Sequence, residues 1–229
     1  MTAPFNPRGD VAVLVVAAGS GVRLGPGTPK ALRLLGGEPL VRHALRAVHA
    51  APSVGYVVVA APPSDVDAMV ALADPGTAVV AGGAHRQESV AYALAAVPDE
   101  FDIVLVHDAA RALAPPSLVE EVAAAVRAGA QAVIPVLPVI DTVKAVDAEG
   151  RVVGTVDRSV LRIVQTPQGF RRTLLVTAHA AAVDAHTDDA GLVEKLGGTV
   201  HTVPGSEYAF KITTPADLAR AEALLRAGS

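Results

Sequence analysis

Cysteine is absent from this 229-residue chain, which excludes a disulfide framework and any thiolate metal site and is compatible with a reducing compartment. Aromatic residues make up only 3% while hydrophobic residues make up 51%, so the core has to be built from Val, Ala and Leu. No apolar run reaches the ~20 residues of a membrane-spanning helix. The first ten residues show neither the basic nor the apolar segment of a secretory signal, so a cytoplasmic protein with no membrane partner is expected. The net charge of −4 supplies no general attraction to nucleic acid. None of His43, His49, His85, His179, His186 or His201 shows metal-ligand spacing. Lysine is also scarce: Lys30, Lys144, Lys195 and Lys211 are the only four, against fifteen arginines, so each lysine asks for a reason.

What is present is organised around Val11 to Lys30, VAVLVVAAGSGVRLGPGTPK. Val11 to Val16 is a continuous apolar run rich in β-branched residues, as expected of a parallel strand buried on both faces. It stops at Ala17-Ala18-Gly19 and gives way to a Gly-rich stretch carrying Arg23 and Lys30. Open α/β sheets bind ligands at the carboxyl ends of their strands. Glycines let backbone N–H groups approach an anion, and two cations can meet its charge, so this loop is expected to hold a nucleoside triphosphate by its phosphates. A dinucleotide fingerprint is the rival reading. Its third glycine position holds Leu24, and no acidic residue ends the next strand at Tyr56 to Ala60. The Gly-Lys-Ser/Thr ending of a Walker A loop is missing too.

Further along, apolar runs alternate with helical patterns. Leu40–His49 has helical spacing, Ser64 is expected to cap a helix, and Thr77–Ala81 is a strand ending in Gly82-Gly83. A helix from about Arg86 to Val97 precedes a strand at Ile103–Val106, which runs into His107-Asp108-Ala109-Ala110-Arg111. Pro115-Pro116-Ser117 opens another helix, and Ala130–Val136 is a fifth strand. This alternation predicts an α/β fold: a Rossmann-like, mostly parallel sheet flanked by helices. The ends of strands one, three and four then bring the Gly-rich loop, Gly82-Gly83 and Asp108 into one cleft.

The pattern breaks at about residues 138–160. Two alternating runs, joined by Asp147-Ala148-Glu149-Gly150, read as a β-hairpin arm projecting from the sheet. An isolated hairpin is marginal in water, so this arm is expected to lie against a second subunit of a homodimer; folding back on its own domain is the alternative. Downstream, Leu161–Gln165 reads as a strand, Thr166–Phe170 as a loop, and Thr173–Val183 and Ala190–Leu196 as helices with Thr187-Asp188-Asp189 as capping candidates. Thr199–Val203 reads as a strand, and Thr214-Pro215-Ala216-Asp217 as the start of the last helix. Residues 1–229 are expected to form a single domain with its arm.

The blocks AAGSGVRLGPGTPKAL, VAGGAHRQESV, VLVHDAARAL, PVIDTVKAV, GTVDRSVLRIVQTPQGF, HTDDAGLVEKLGG and AFKITTPADLARAEALL occur in the order seen in one family. Over roughly Val11 to Leu225 the chain resembles the 2-C-methyl-D-erythritol 4-phosphate cytidylyltransferases. AAGxGxR alone is shared by many nucleotidylyltransferases; HDAAR, TVDR, TPQ, TDDA and KITTP together are far narrower. The resemblance implies transfer of CMP from CTP to a sugar-alcohol phosphate, 2-C-methyl-D-erythritol 4-phosphate, with release of pyrophosphate. Arg23 and Lys30 match the pair that stabilises the transition state. Lys211, Arg158 and Thr142 match acceptor-positioning residues, the last two reaching in from the partner's arm. Ala17, Ala18, Gly19, Gly83 and Ser89 match cytidine-binding positions, and Asp108 an acid near the ribose and metal. Mg²⁺ is implied chiefly as a partner of the triphosphate. The chain departs from common patterns at Ala31, Ala84 and Ala209, which bears on nucleotide recognition. Ribitol 5-phosphate transfer, another sugar-phosphate nucleotidylyltransferase, a NAD-binding oxidoreductase and a non-catalytic nucleotide sensor are the competing readings.

Overall fold

The structure, a computed structural model, describes residues 9–19, 21–25, 27–182 and 188–227. In chain order the elements begin with strand β1 (Val11–Val16), the short antiparallel ribbon of β2 (Leu34–Leu35) and β3 (Glu38–Pro39), and helix α1 (Leu40–His49). Next come β4 (Val54–Ala61), α2 (Val66–Leu72), β5 (Thr77–Ala81), α3 (Arg86–Ala95), β6 (Ile103–Asp108), α4 (Pro116–Arg127) and β7 (Ala132–Pro138). The second half holds β8 (Val143–Val146), β9 (Val152–Val156), β10 (Arg162–Val164), β11 (Gln168–Arg171), α5 (Arg172–Ala181), α6 (Asp189–Lys195), β12 (Val200–Pro204) and α7 (Pro215–Ala227). No helix among the described residues is long and apolar enough to cross a membrane.

β1 lies at the centre of an eight-stranded, largely parallel sheet, pairing with β4 on one side and β6 on the other. Its near-absence of polar residues is explained by the packing on both faces. Val11, Val13 and Val15 join a cluster with Val41, Leu45, Val119 and Val122 of α1 and α4. Ala12 and Leu14 point the other way, into a cluster with Val90, Leu94, Leu175 and Val193 of α3, α5 and α6. Full burial of such a Val or Leu side chain contributes about 1.5–3 kcal/mol, so the core rests on many small aliphatic contributions rather than a few large rings. A third cluster, Leu24, Leu35, Leu40, Ala112, Ile212 and Ala221, ties α7 and its preceding segment to the Gly-rich loop.

Several details differ from the expectations. Thr166–Phe170, expected as a loop, contains a strand: β11 runs antiparallel between β6 and β7, and β10 continues antiparallel along β7. The turn-like Thr-Pro-Gln-Gly composition has another cause. A Cβ at Gly169 would lie 2.6 Å from Val122 Cγ1 and 3.0 Å from Val126 Cγ2, so glycine is what lets α4 press directly onto this strand. Ser64 does not cap α2. It sits in a 3₁₀ turn and its hydroxyl donates to Asp65. Thr214 and Asp217 do form reciprocal capping bonds at the start of α7. Thr187 and His186 lie outside the described residues.

β8 and β9 pair with each other as a separate two-stranded sheet. Ile140, Val146, Val152, Val153 and Val160, on and around this hairpin, are all more than half exposed. Among the described residues, nothing covers these apolar side chains.

Candidate active site

The Gly-rich loop is shaped by three devices. Gly21 has φ of +66°, and a Cβ there would lie 2.4 Å from Lys30 Cβ, so only glycine permits both the left-handed turn and the close approach of Lys30. Leu24 drops into the third apolar cluster and anchors the 3₁₀ turn Val22–Leu24, leaving its neighbour Arg23 exposed. Arg33 then straps the loop from below, donating to the carbonyls of Leu24 (3.3 Å), Gly25 (2.6 Å) and Thr28 (3.0 Å).

Across from this loop, the end of β6 delivers Asp108, which is 7% exposed. Its backbone N–H donates to Thr166 Oγ1 at 3.0 Å, a bond made possible by the antiparallel neighbour that the sequence pattern hides. Lys211 arrives from an irregular segment rather than a strand. The Ile212 N–H donates to the Ala110 carbonyl at 2.9 Å, and Ile212 itself is buried, which pins Lys211 beside β6. Arg111 holds this region together by donating to the Ala209 and Val164 carbonyls at 2.7 and 3.1 Å.

These elements enclose one cavity of about 430 Å³ at the carboxyl ends of β1, β5 and β6. Ala17, Ala18 and Gly19 line it from just after β1, Gly83 from the β5–α3 connection, Ser89 from α3 and Asp108 from β6; Arg23, Lys30 and Lys211 line it too. Thr142 and Arg158 do not line it. Arg158 donates to the Ile140 carbonyl within the arm, and Asp157 accepts from the Ser159 N–H at 2.9 Å. Ser89 accepts from the Gly83 N–H at 3.1 Å and donates to the His85 carbonyl at 3.0 Å, which fixes the Gly83 backbone.

The electrostatics of the cavity are cationic with one buried anion. Burial, helped by the positive charge of Lys211 and opposed by Asp108, lowers the Lys30 pKa to about 8. Burial alone would raise the Asp108 pKa, but Arg86 and Lys211 outweigh it and hold the carboxyl well below the usual range. Lys211 Nζ lies 2.7 Å from one Asp108 oxygen and Arg86 Nε lies 3.1 Å from the other. His107, fully buried against Thr166 Oγ1 at 3.2 Å, is driven by burial to a pKa of about 4 and is therefore neutral, as befits a structural strand-end residue.

Arg86 is a charged cavity residue that the sequence pattern does not single out. It lies at the first position of α3, after the N-cap residue His85, and its place in VAGGAHRQESV close behind the Gly82-Gly83 pair is the signal that marks it. Asp189 stands in the first turn of α6, as expected of a helix-start acid, but it is also 1% exposed and paired with Arg86 at 2.7 Å, while its neighbour Asp188 caps α6 by accepting from the Gly191 N–H at 3.2 Å.

No group of three or more His, Asp or Glu side chains that could hold a metal ion occurs among the described residues. Among the described residues, Asp108 is the one carboxylate lining the cavity. That donor set suits an ion such as Mg²⁺, which keeps several waters and takes most other ligands from substrate phosphates.

A profile for 2-C-methyl-D-erythritol 4-phosphate cytidylyltransferases matches residues 11–227. The enzyme of that name from Frankia casuarinae is 58% identical over 220 residues, covering 96% of this chain and 82% of the relative. The one from Nocardia farcinica is 56% identical, covering 95% and 94%. The crystal structure of 2-C-methyl-D-erythritol 4-phosphate cytidylyltransferase from Thermus thermophilus superposes with a TM-score of 0.76 at 41% identity, covering 93% of this chain and 98% of that one. That of 4-diphosphocytidyl-2C-methyl-D-erythritol synthase from Anaerococcus prevotii gives 0.83 at 27% identity, covering 96% and 100%.

A largely parallel α/β sheet with a Gly-rich cationic cavity at its strand ends defines the protein as a nucleotidyltransferase, which sets aside the dinucleotide reading. Within that class, the chain belongs to the 2-C-methyl-D-erythritol 4-phosphate cytidylyltransferase family.

Proposed function

We propose that the protein transfers CMP from CTP to 2-C-methyl-D-erythritol 4-phosphate. A phosphate oxygen of the acceptor attacks the α-phosphorus of CTP in line. The new P–O bond forms as the bond to the β-phosphate breaks, giving 4-diphosphocytidyl-2-C-methyl-D-erythritol and pyrophosphate. Both reactants are anions, so the tasks are to hold them together and to stabilise charge growing on the α-phosphate. The observation that carries this reading is the meeting of Arg23, Lys30 and Lys211, from opposite ends of the chain, in one cavity.

Backbone groups of Ala17, Ala18, Gly19 and Gly83 receive the nucleoside, with Ser89 fixing the Gly83 turn. Arg23 and Lys30 contact the triphosphate and stabilise the transition state. Lys211 positions the acceptor phosphate, and Asp108 orients Lys211 and lies near the ribose. Asp108 would stand beside a divalent cation such as Mg²⁺ bound with the triphosphate, and that ion would supply neutralisation of phosphate charge. Thr142 and Arg158 serve the acceptor in a neighbouring subunit's cavity: they lie outside their own, on an arm whose exposed valines suit a homodimer contact. The protein acts as one domain of residues 1–229 with its arm at about 138–160, in the cytoplasm.

The test is pyrophosphate release from CTP and Mg²⁺ with methylerythritol phosphate and ribitol 5-phosphate offered in parallel, and with UTP and GTP replacing CTP. Turnover of methylerythritol phosphate with CTP is expected. Turnover of ribitol phosphate alone, or preference for another nucleotide, would overturn the substrate assignment.

A further inference from the structure

A row of hydrogen-bonded polar side chains runs from α5 into the cavity. His179 Nε2 on α5 lies 3.0 Å from Asp189 Oδ1, and Asp189 Oδ2 lies 2.7 Å from an Arg86 terminal nitrogen. Arg86 Nε lies 3.1 Å from Asp108 Oδ1, and Asp108 Oδ2 lies 2.7 Å from Lys211 Nζ. Each carboxylate thus gives one oxygen to each neighbour, and Arg86 spans two acids with different nitrogens. We propose that Asp189, though outside the cavity, is a positioning residue for nucleotidyl transfer, acting through Arg86 to keep one oxygen of Asp108 free for Lys211. The proposal rests on the reading of the cavity given above.

Stability alone explains Asp189 poorly. At 1% exposure its charge is costly to bury, and a buried ion pair is often no more stable than a well-packed apolar replacement. Geometry explains it better. Arg86 is a planar fork able to take both oxygens of one carboxylate. With Asp189 holding one terminal nitrogen, the guanidinium is turned so that Nε reaches Asp108 and the second Asp108 oxygen is left to the lysine. Without Asp189, Arg86 is free to rotate and grip both Asp108 oxygens, which displaces Lys211 from the place where it meets the acceptor. The signature is therefore a loss in turnover rather than in nucleotide binding.

Asp189→Asn should lower kcat by about 10- to 100-fold while the KM for CTP stays within about threefold, since misplacing a reacting group acts on the chemical step. In an Arg86→Gln background the same change should cost less than about threefold more, because the effect passes through Arg86. Arg86→Lys, which keeps the charge but cannot span two acids and lies nearer the surface, should reproduce the kcat loss and carries the test should Asp189→Asn fail to fold by circular dichroism. Wild-type kcat in Asp189→Asn or Arg86→Lys, or additive losses in the double variant, would overturn the proposal. Lys30→Ala run alongside separates the two readings: a dead Lys30→Ala with an active Asp189→Asn sinks this proposal alone, while an active Lys30→Ala sinks the reading of the cavity itself.

Discussion

The ammonium of Lys211 lies 2.7 Å from the carboxylate of Asp108, across 103 residues of chain. That pair, together with the Ile212 N–H to Ala110 carbonyl bond, fastens the segment before α7 to the end of β6. It also sets the field around Lys30, which is repelled by Lys211 and attracted by Asp108. A site made to receive two phosphorylated molecules needs concentrated positive charge, and a single buried acid keeps those cations from driving one another apart before the substrates arrive.

The first expectation concerns Lys30 as a catalytic group. Lys30→Ala should keep its circular dichroism spectrum yet lose about 10²–10³ in kcat, the usual effect of removing one preorganised group facing developing charge. Steady-state pyrophosphate release decides it. Near-normal turnover in a folded variant would take Lys30 out of the mechanism.

The second concerns pH. With its pKa lowered to about 8, Lys30 carries its charge below that pH and loses it above, so kcat/KM for CTP should fall as pH rises through about 8. The stability effect has its own sign. Between about 8 and the ordinary 10.5 the unfolded chain binds more protons at this site than the folded one. The cost of charging Lys30 is therefore fully present below about 8 and is relieved as pH rises through that window. The chain has only four lysines, so ¹³C NMR of their ε-carbons can follow them individually. One should titrate near 8 and move upward in Lys211→Gln, which removes a repelling charge. Four lysines all titrating near their ordinary value would refute the assignment.

The strand-and-helix alternation and the gathering of three strand ends were legible because each depends on local pattern: a valine run, a Gly pair, a His-Asp pair after four apolar residues. The resemblance to a family came from ordered motifs and carried the substrate class, which periodicity does not contain. What stayed hidden was long-range. β11 looks like a turn because Gly169 is small, yet its size answers to Val122 and Val126 on a helix over forty residues earlier. Asp189 looks like an ordinary helix-start acid because its partner Arg86 is 103 residues away. Ser64 misled in the opposite direction, as a good capping residue whose hydroxyl turned to Asp65.

The third expectation tests that hidden strand. Gly169→Ala would place a methyl 2.6 Å from Val122 Cγ1, and a β-branched neighbour on a packed helix has little room to move. Overpacking of this kind costs about 1–3 kcal/mol. Thermal unfolding should show it at roughly 2–4 °C per kcal/mol for a chain of this size. An unchanged Tm would mean that α4 does not bear on β11 as tightly as described.

The fourth expectation concerns the arm. Thr142 and Arg158 lie outside their own cavity, and Ile140, at 77% exposed, stands among the uncovered apolar side chains beside them. If the arm completes a neighbour's cavity, Arg158→Ala and Lys30→Ala damage different halves of one composite site. Each homodimer should then be nearly inactive. A mixture refolded at equal concentrations should form about half heterodimers, each with one intact site, and recover about a quarter of wild-type activity by two-fold symmetry. Differently tagged subunits allow the heterodimer to be purified and assayed alone. Sedimentation showing a monomer, or a purified heterodimer as inactive as its parents, would mean that the arm does not act in trans and that Arg158 serves only its own chain.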